Sequence, residues 1–477
     1  MAEYTCKSEK CGRTFDEEEK RLTNDENKCI LHCDKIEWHQ LKDTILGEQK
    51  ICDELKYKIF YDTFIKRFSR EKQDSLYIKG IHFPNNLLMD GGSALSRVTM
   101  NENINKINIS KCKFYGDQNI ELNTLPSYEL ESMSIFDIHS DYKISFNDAK
   151  IKNLKISTSN INNLHMQFSE FKNLTISGHF SEVQYRTIKD INIIKTTVKN
   201  DCLIYELKLT TLRLHSVEFV KTTFEKLFIK NELELDKSKF DKRLDFFEVE
   251  YLNKLNLEKT LIPKDTSFLR LTSDIYTKKA IKVQNRETAR KIKDSFEIQN
   301  NIIEANKYYA LEMKEREKEL ELTKKNNWFE WLVFKIHGIS SNHSQDWLLA
   351  LFWIVIVGVF ASYFSFYTMQ DKMGNYVHFN ILPFLGTMIL SFAILGSKYI
   401  FKTLEKMYYY LVFVFFPLLY YYTTNDSWFT LFSNTINPFS IMTKGDTLNL
   451  GILIFKVIIA YLIYQFVVSV RQNTRRK

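Results

Sequence analysis

The sequence predicts a multi-domain membrane protein. Its parts are a small cysteine-rich N-terminal module, a helical region, a β-solenoid, a helical cap and stalk, and a four-helix transmembrane domain. Three observations carry that prediction. Two close cysteine pairs open the chain, a five-residue apolar rhythm fills its middle, and four apolar runs end it, at 347–366, 379–399, 407–422 and 448–470. A helix crosses a bilayer core with about 17–25 apolar residues.

The N-terminal module spans 1–36. Cys6 and Cys11 form one close pair and Cys29 and Cys33 the other, with His32 inside the second. Two close pairs separated by a short loop have the spacing of a small tetrahedral zinc site. The segment is too polar to hold itself together by a core, so a metal would supply its folding energy. The expectation is a zinc-ribbon-like module with one structural zinc ion on Cys6, Cys11, Cys29 and Cys33, and with His32 as the substitute ligand. Cys52, Cys112 and Cys202 are scattered and read as small apolar residues.

Residues 37–75 read as helical. Trp38, Leu41 and Ile45 fall on one helical face, Leu55, Ile59 and Phe64 on another, with Gly47 between them. Their expected role is packing, on the metal module or over the end of the next domain.

Residues 76–272 are repetitive. An apolar-x-apolar doublet is followed five positions later by another apolar residue. Ile107 and Ile109 lead to Phe114, Leu154 and Ile156 to Ile161, Leu212 and Leu214 to Phe219, Leu233 and Leu235 to Phe240, and Leu255 and Leu257 to Ile262. The last three doublets start 21 and then 22 residues apart. A period near twenty made of five-residue steps is a solenoid signature, in which each turn buries its interior by stacking on its neighbours. Leu214, Phe219, Leu235, Phe240 and Leu257 should point inward, and Lys237, Lys239 and Lys254 outward. In segments such as LELDKSKF (233–240) the stretch resembles a degenerate bacterial pentapeptide-repeat protein. That resemblance implies a right-handed quadrilateral β-helix with four five-residue faces per coil.

At 285–345 the composition turns charged, without Pro, and Ile298, Ile302, Ala305, Tyr309 and Met313 recur on one helical face. This is the cap and stalk, with a break expected near 299–301. Its EANKYYALEMK (304–314) resembles the helical segment after the repeats in some bacterial membrane-anchored pentapeptide-repeat proteins.

The transmembrane domain spans 346–471. Lys398, Lys402 and Lys406 lie between the second and third runs, and Arg471, Arg475, Arg476 and Lys477 come after the fourth. Cytoplasmic loops carry such excess, so four crossings with both termini in the cytoplasm are expected. With the resemblance, that implies a bacterial inner membrane. The start, MAEYTCKSEK, has no apolar core of a cleavable signal. Lys456 sits inside the fourth run, where a charge is a candidate functional residue; its expected behaviour is to snorkel outward. Residues 428–442 are apolar for an external loop and read as a helix in the interface.

The net charge is +8 over 477 residues, with Lys closely mixed among Asp and Glu. No basic stripe is present, so nucleic acid is not an expected partner. Neither a Gly-rich phosphate loop nor GxSxG occurs, and an enzyme is not expected. The sequence points to a membrane-anchored binding or scaffold protein. Its partners would be the lipid bilayer, an unidentified macromolecule and, in a homo-oligomer, further copies of itself. A channel or membrane effector gated by the cytoplasmic head is the alternative.

Overall fold

A computed structural model describes residues 4–8, 11–23, 27–35, 38–44, 47–52, 54–68, 74–84, 104–115, 120–122, 128–157, 160–178, 188–268, 271–272, 282–323, 327–372, 429–440 and 450–474, with parts of 413–426. The chain divides into two compact units, Met1–Asn300 and Asn301–Lys477.

The first unit opens with an antiparallel pair, β1 (Tyr4–Thr5) and β2 (Thr14–Phe15), then a short helix, α1 (Glu17–Thr23). Next comes a second antiparallel pair, β3 (His39–Thr44) with β4 (Gly47–Cys52), and then helix α2 (Glu54–Phe68). The region expected to be helical is therefore helical only in its second half. The spacing of Trp38 and Leu41 suits a helix, but residues 39–44 pair across the hairpin with 47–52 instead. The buried face of α2 is Tyr57, Phe60 and Phe64, while Leu55 is exposed. Phe60 and Phe64 meet Phe83 edge-on, and Phe83 stacks on Phe114 at 4.7 Å.

Among the described residues, sixteen strands then form one parallel sheet. In chain order β5 to β20 are Ser75–Lys79, His82–Phe83, Lys106–Ser110, Lys113–Phe114, Ile120–Glu121, Leu130–Phe136, His139–Asn147, Lys150–Ser157, Asn160–Gln167, Glu170–Ser177, Ile188–Ile194, Thr197–His215, Glu218–Glu234, Lys239–Tyr251, Lys254–Asn256 and Leu271–Thr272. They build two parallel ladders. One pairs Ile107, Met133, Leu154, Leu174, Cys202, Thr222 and Leu244 in succession. The other runs Leu164, Ile191, Leu212, Leu233 and Leu255. In the first ladder, from Ile107 onward, each residue pairs with one 20 to 28 residues later. The long strand β16 joins the ladders, since its first half pairs with β14 and its last five residues with β15.

The apolar doublets supply the interior. Leu214, Phe219, Leu235, Phe240 and Leu257 are all buried, and Lys237, Lys239 and Lys254 are exposed. Ile262, after the last doublet, is the exception and is only half-buried. Phe224, Phe246 and Phe268 stack through successive strands, each pair of rings 5.4 Å apart. Offset ring stacks of this kind add to plain burial.

A feature not read from the sequence sits at the chain's bends. Two columns of non-glycine residues adopt left-handed backbone, with φ between +46° and +55°. One column is Asp148, Phe168, Lys195, Ser216, Lys237 and Lys259; the other includes Lys111, Asp137, Glu206, Lys226 and Glu248. Each such residue costs roughly 1–2 kcal/mol. The residue after it is often a buried hydroxyl that offsets this cost. Ser238 Oγ donates to the Leu214 and Asp236 carbonyls and accepts from the Val217 N–H. Ser169 does the same with Phe146, Gln167 and Ala149. Gly178 has its own reason: a Cβ there would lie 2.1 Å from the Glu206 carbonyl oxygen.

Helix α3 (Arg286–Ile298) covers the last strands. Thr288 Oγ1 accepts the Leu257 N–H, Glu287 accepts the Lys259 N–H, and Lys291 Nζ donates to the Leu257 carbonyl. Ala289, Ile292 and Phe296 are buried. The helix ends at 298, and Asn300 turns left-handed at φ +59°.

Among its described residues the second unit includes α4 (Ile302–Leu322), α5 (Trp328–Ser341), α6 (Trp347–Lys372), α7 (Thr430–Ile436) and α8 (Leu450–Thr474). Two stretches, Trp347–Phe366 and Leu450–Gln472, are long and apolar enough to cross a membrane. The run at 379–399 lies outside the described residues, as does most of that at 407–422. Residues 430–436, within the stretch read as an interfacial helix, are helical. Gly358 on α6 lets α7 approach, because a Cβ there would meet Ile436 at 2.6 Å.

The interior columns set the stability of the sheet. Phe240→Ala should cost about 3–5 kcal/mol, and Ser238→Ala about 1–3 kcal/mol through the polar groups it leaves unpaired. Lys254→Ala, on the outside, should change stability by under about 0.5 kcal/mol. Denaturant unfolding of the full chain in detergent, monitored by far-ultraviolet circular dichroism, checks the order.

Candidate metal centre

The N-terminal centre is assembled by three short backbone devices. The β1–β2 pair brings Cys6 near Cys11, with the Cys6 N–H bonded to the Arg13 carbonyl at 2.9 Å and Gly12 turning left-handed between the two strands. Asp16 caps α1 by accepting the Glu19 N–H. Buried Glu19 accepts the Ile30 N–H at 2.8 Å and pairs with Arg13, which ties α1 to the turn at 29–33. In that turn the His32 and Cys33 N–H groups both bond the Cys29 carbonyl.

The result brings Cys6, Cys11, Cys29 and His32 together, with one ligand atom from each and all four within 4.8 Å of one another. Cys11 Sγ and Cys29 Sγ are 3.8 Å apart, Cys6 Sγ and His32 Nδ1 3.8 Å, and Cys29 Sγ and His32 Nδ1 3.2 Å. A tetrahedral zinc with bonds of about 2.3 Å to sulfur and 2.0–2.1 Å to nitrogen needs ligand edges of roughly 3.6–3.8 Å. The donor set suits such an ion; the Cys11–Cys29 and Cys6–His32 edges match it, and the Cys29–His32 edge is shorter.

Cys33 is not part of the cluster. Its thiol is fully buried and faces the Ile30 carbonyl and Lys35 Nζ. Among the described residues the candidate ligand set is therefore Cys6, Cys11 and Cys29 with His32, the expected substitute, in the place of Cys33. The physical reason is the turn: three residues on from Cys29 the chain points back at its sulfur, and four residues on it has passed. Cys29-x2-His32 was the spacing in the sequence that carried this.

The electrostatics prepare a thiolate. The contact with Cys29 lowers the Cys11 thiol most, to about 2, against the opposing effect of burial and with help from His32, Arg13 and Arg67. Cys29 is pushed up by the same contact and by its own burial. The two shifts run in opposite directions, so the pair favours a thiolate on Cys11 and a thiol on Cys29. The Cys29 N–H donates to Cys6 Sγ at 3.3 Å, and Arg67 donates to Cys11 Sγ at 3.3 Å. Three thiolates around a divalent ion would leave one net negative charge, which Arg67 would offset.

No family model, curated protein or solved structure matches this chain.

The second unit holds Lys456, which does not reach outward. It is 5% exposed, and its ammonium donates to the carbonyls of Asn434, Thr435 and Asn437 at 3.0, 2.8 and 2.8 Å. These carbonyls lie at the end of α7, the Asn437 one being shared with Ser440, and an ammonium has three protons to give. Asp426 accepts the Thr430 and Leu431 N–H groups at the other end of α7. A carboxylate at the start and an ammonium at the end both suit the helix dipole. Lys456 is thus a cap for α7.

Histidines isolated in sequence also meet. His337 Nδ1 and His343 Nδ1 are 3.3 Å apart, His343 Nε2 lies 3.3 Å from Glu317, and His337 Nε2 lies 3.2 Å from Ser344 Oγ. Gln465 of α8 accepts from Ser341 and Ser344. Each His343 nitrogen faces a different group, so this is a hydrogen-bonded chain and not a metal shell. Asn342, His343 and Ser344 are all left-handed, at φ +48°, +56° and +64°. In the sheet, His139, His165 and His215 each bond a local neighbour, Asn160, Gln167 and Asp236, while His179 lies outside the described residues.

The full chain should carry about one equivalent of zinc, because one tetrahedral shell holds one ion. Cys6→Ser, Cys29→Ser or His32→Ala should lose it, and Cys33→Ser should keep it. Metal analysis that finds Cys33→Ser empty and His32→Ala full would restore the four-thiolate shell.

Burial lowers both His337 and His343, which keeps them neutral in the folded chain. The unfolded chain takes up those protons near pH 6.5. Their contribution is therefore constant above about pH 6.5 and is lost as pH falls below it. Corrected for the intrinsic base-catalysed rate, the protection of amides at 337–345 should fall between about pH 7 and 5.5, and should fall less in His337→Gln.

Proposed function

We propose that this chain is a membrane-anchored scaffold. A right-handed β-solenoid presents its outer faces to a macromolecular partner in the cytoplasm, and a multi-pass domain holds it at the bilayer. The observation that carries the reading is the contrast between two surfaces of one chain. Helices α6 and α8 expose apolar side chains, among them Phe364, Leu453, Ile454, Val457 and Val467. The sheet instead exposes charges paired between successive strands: Lys199 with Glu170, Lys221 with Asp201, and Arg213 with Glu232 and Glu234. Lipid suits the first surface, and a polar partner suits the second. Balanced charge also argues for a protein partner over nucleic acid.

The five-residue rhythm and the resemblance to pentapeptide-repeat proteins support the right-handed, closed form of the solenoid. The Lys-rich segment at 398–406 and the basic C-terminus support four crossings, with both termini in the cytoplasm of a bacterial inner membrane. The three-cysteine, one-histidine shell supports a single structural zinc. A homo-oligomer is compatible with all of these.

A channel or membrane effector gated by the head is the second reading. Buried Lys456, locked to a short helix inside the apolar unit, is what favours it. Two measurements separate the readings. A photo-crosslinker at Lys221 or Arg243 should give a discrete heavier product in cells, and planar bilayers holding the purified chain should stay silent. Unitary currents that vanish in Lys456→Met would put the channel first. For topology, Lys402→Cys should label only after the cells are opened, and Asn375→Cys should label from outside.

A further inference from the structure

Helix α5 is built inside out. Six of its large apolar side chains face away from the protein: Trp328, Phe329, Val333, Ile336 and Ile339 are 46–65% exposed and Leu332 is 38% exposed. At 3.6 residues per turn these six fall on one continuous arc of the helix. The opposite side holds half-buried Trp331 and Phe334, and polar groups there and in the last turn face inward. Ser341 is fully buried and donates to Gln465, Ser340 meets the Tyr461 hydroxyl at 3.4 Å, and His337 joins the His343–Glu317 chain. A helix of a water-soluble protein shows the reverse pattern. A contiguous apolar arc of this kind marks a surface that something apolar covers.

The arc is continuous with the apolar exterior of α6 and α8. At its end, the Ile339 carbonyl accepts the Trp353 Nε1 proton from α6 at 3.0 Å, and Trp347, the first residue of α6, is 39% exposed. Tyr461 and Gln465, which receive the other side of α5, belong to the apolar stretch Leu450–Gln472. The end of α5 is therefore level with residues inside both candidate spans. Tryptophan at its beginning is a residue that favours the headgroup boundary.

We infer that α5 is a membrane-embedded interfacial helix whose occupant is the acyl region of the bilayer leaflet next to the C-terminus of α8. This inference depends on the membrane reading above. It adds a third apolar contact with lipid beside the two spans. It also explains the buried polar chain: with lipid on one side, the hydroxyls and imidazoles of α5 have only the protein side in which to find partners.

The test uses the full chain in nanodiscs of phosphatidylethanolamine and phosphatidylglycerol. Val333→p-benzoylphenylalanine and Ile336→p-benzoylphenylalanine are irradiated and analysed by mass spectrometry. Val457 on α8 and Lys221 on the sheet carry the same group as references. Both α5 positions should yield phospholipid adducts at a level comparable to Val457, and Lys221 should yield none. Lipid adducts at Val457, with only chain-to-chain products or none at Val333 and Ile336, would overturn the inference and leave the membrane reading standing. No lipid adduct at Val457 would remove the membrane reading, and this inference with it.

Discussion

A stack of parallel strands pairs its backbone only with the strand before and the strand after, so its two ends are left open. Everything in the first unit answers that constraint. At the beginning, the Leu31 carbonyl accepts the His82 N–H, and α2 lays Phe60 and Phe64 against Phe83. At the other end, Thr288, Glu287 and Lys291 of α3 take up the N–H groups of Leu257 and Lys259 and the Leu257 carbonyl. The candidate metal centre belongs to the same account. Its turn at 29–33 carries Leu31 as well as Cys29 and His32, so an ion that fixes the turn also fixes the first cover of the sheet.

The second unit answers a related constraint with different means. Polar groups among apolar helices must find partners within the protein. Lys456 of α8 gives its protons to three carbonyls at the end of α7. Gln465 of α8 receives a hydroxyl from Ser341 of α5, and His337 of α5 reaches Glu317 of α4 through His343. Each of these ties one helix to another. The polar residues that a hydropathy reading treats as interruptions are therefore the fasteners of the helices.

The two units divide the work implied by the proposed scaffold. The sheet offers a long, charge-balanced outside whose shape is set by the stacking period. The helices offer an apolar outside. Most of the left-handed bends give the sheet regular corners without glycine, and a buried Ser or Thr next to several of them shares its proton between two carbonyls, as at Ser169, Ser238 and Thr260.

By itself the sequence determined what depends on period and composition. The doublets from Ile107 to Leu257 carry their own burial pattern, since a two-residue alternation inside a strand leaves one inward side. The break between α3 and α4 and the length of the two apolar helices are local properties and were legible too. What the tertiary structure decided depends on direction and on distant partners. Thiol count pointed to Cys33, but only the course of the turn at 29–33 shows His32 aimed at the other three ligands. A helical spacing at Trp38 and Leu41 gave way to a hairpin, because backbone pairing across 39–52 outweighs a short apolar period. Lys456 looked like a charge in search of water, and it is a cap because the end of α7, distant in sequence, places three carbonyls beside it.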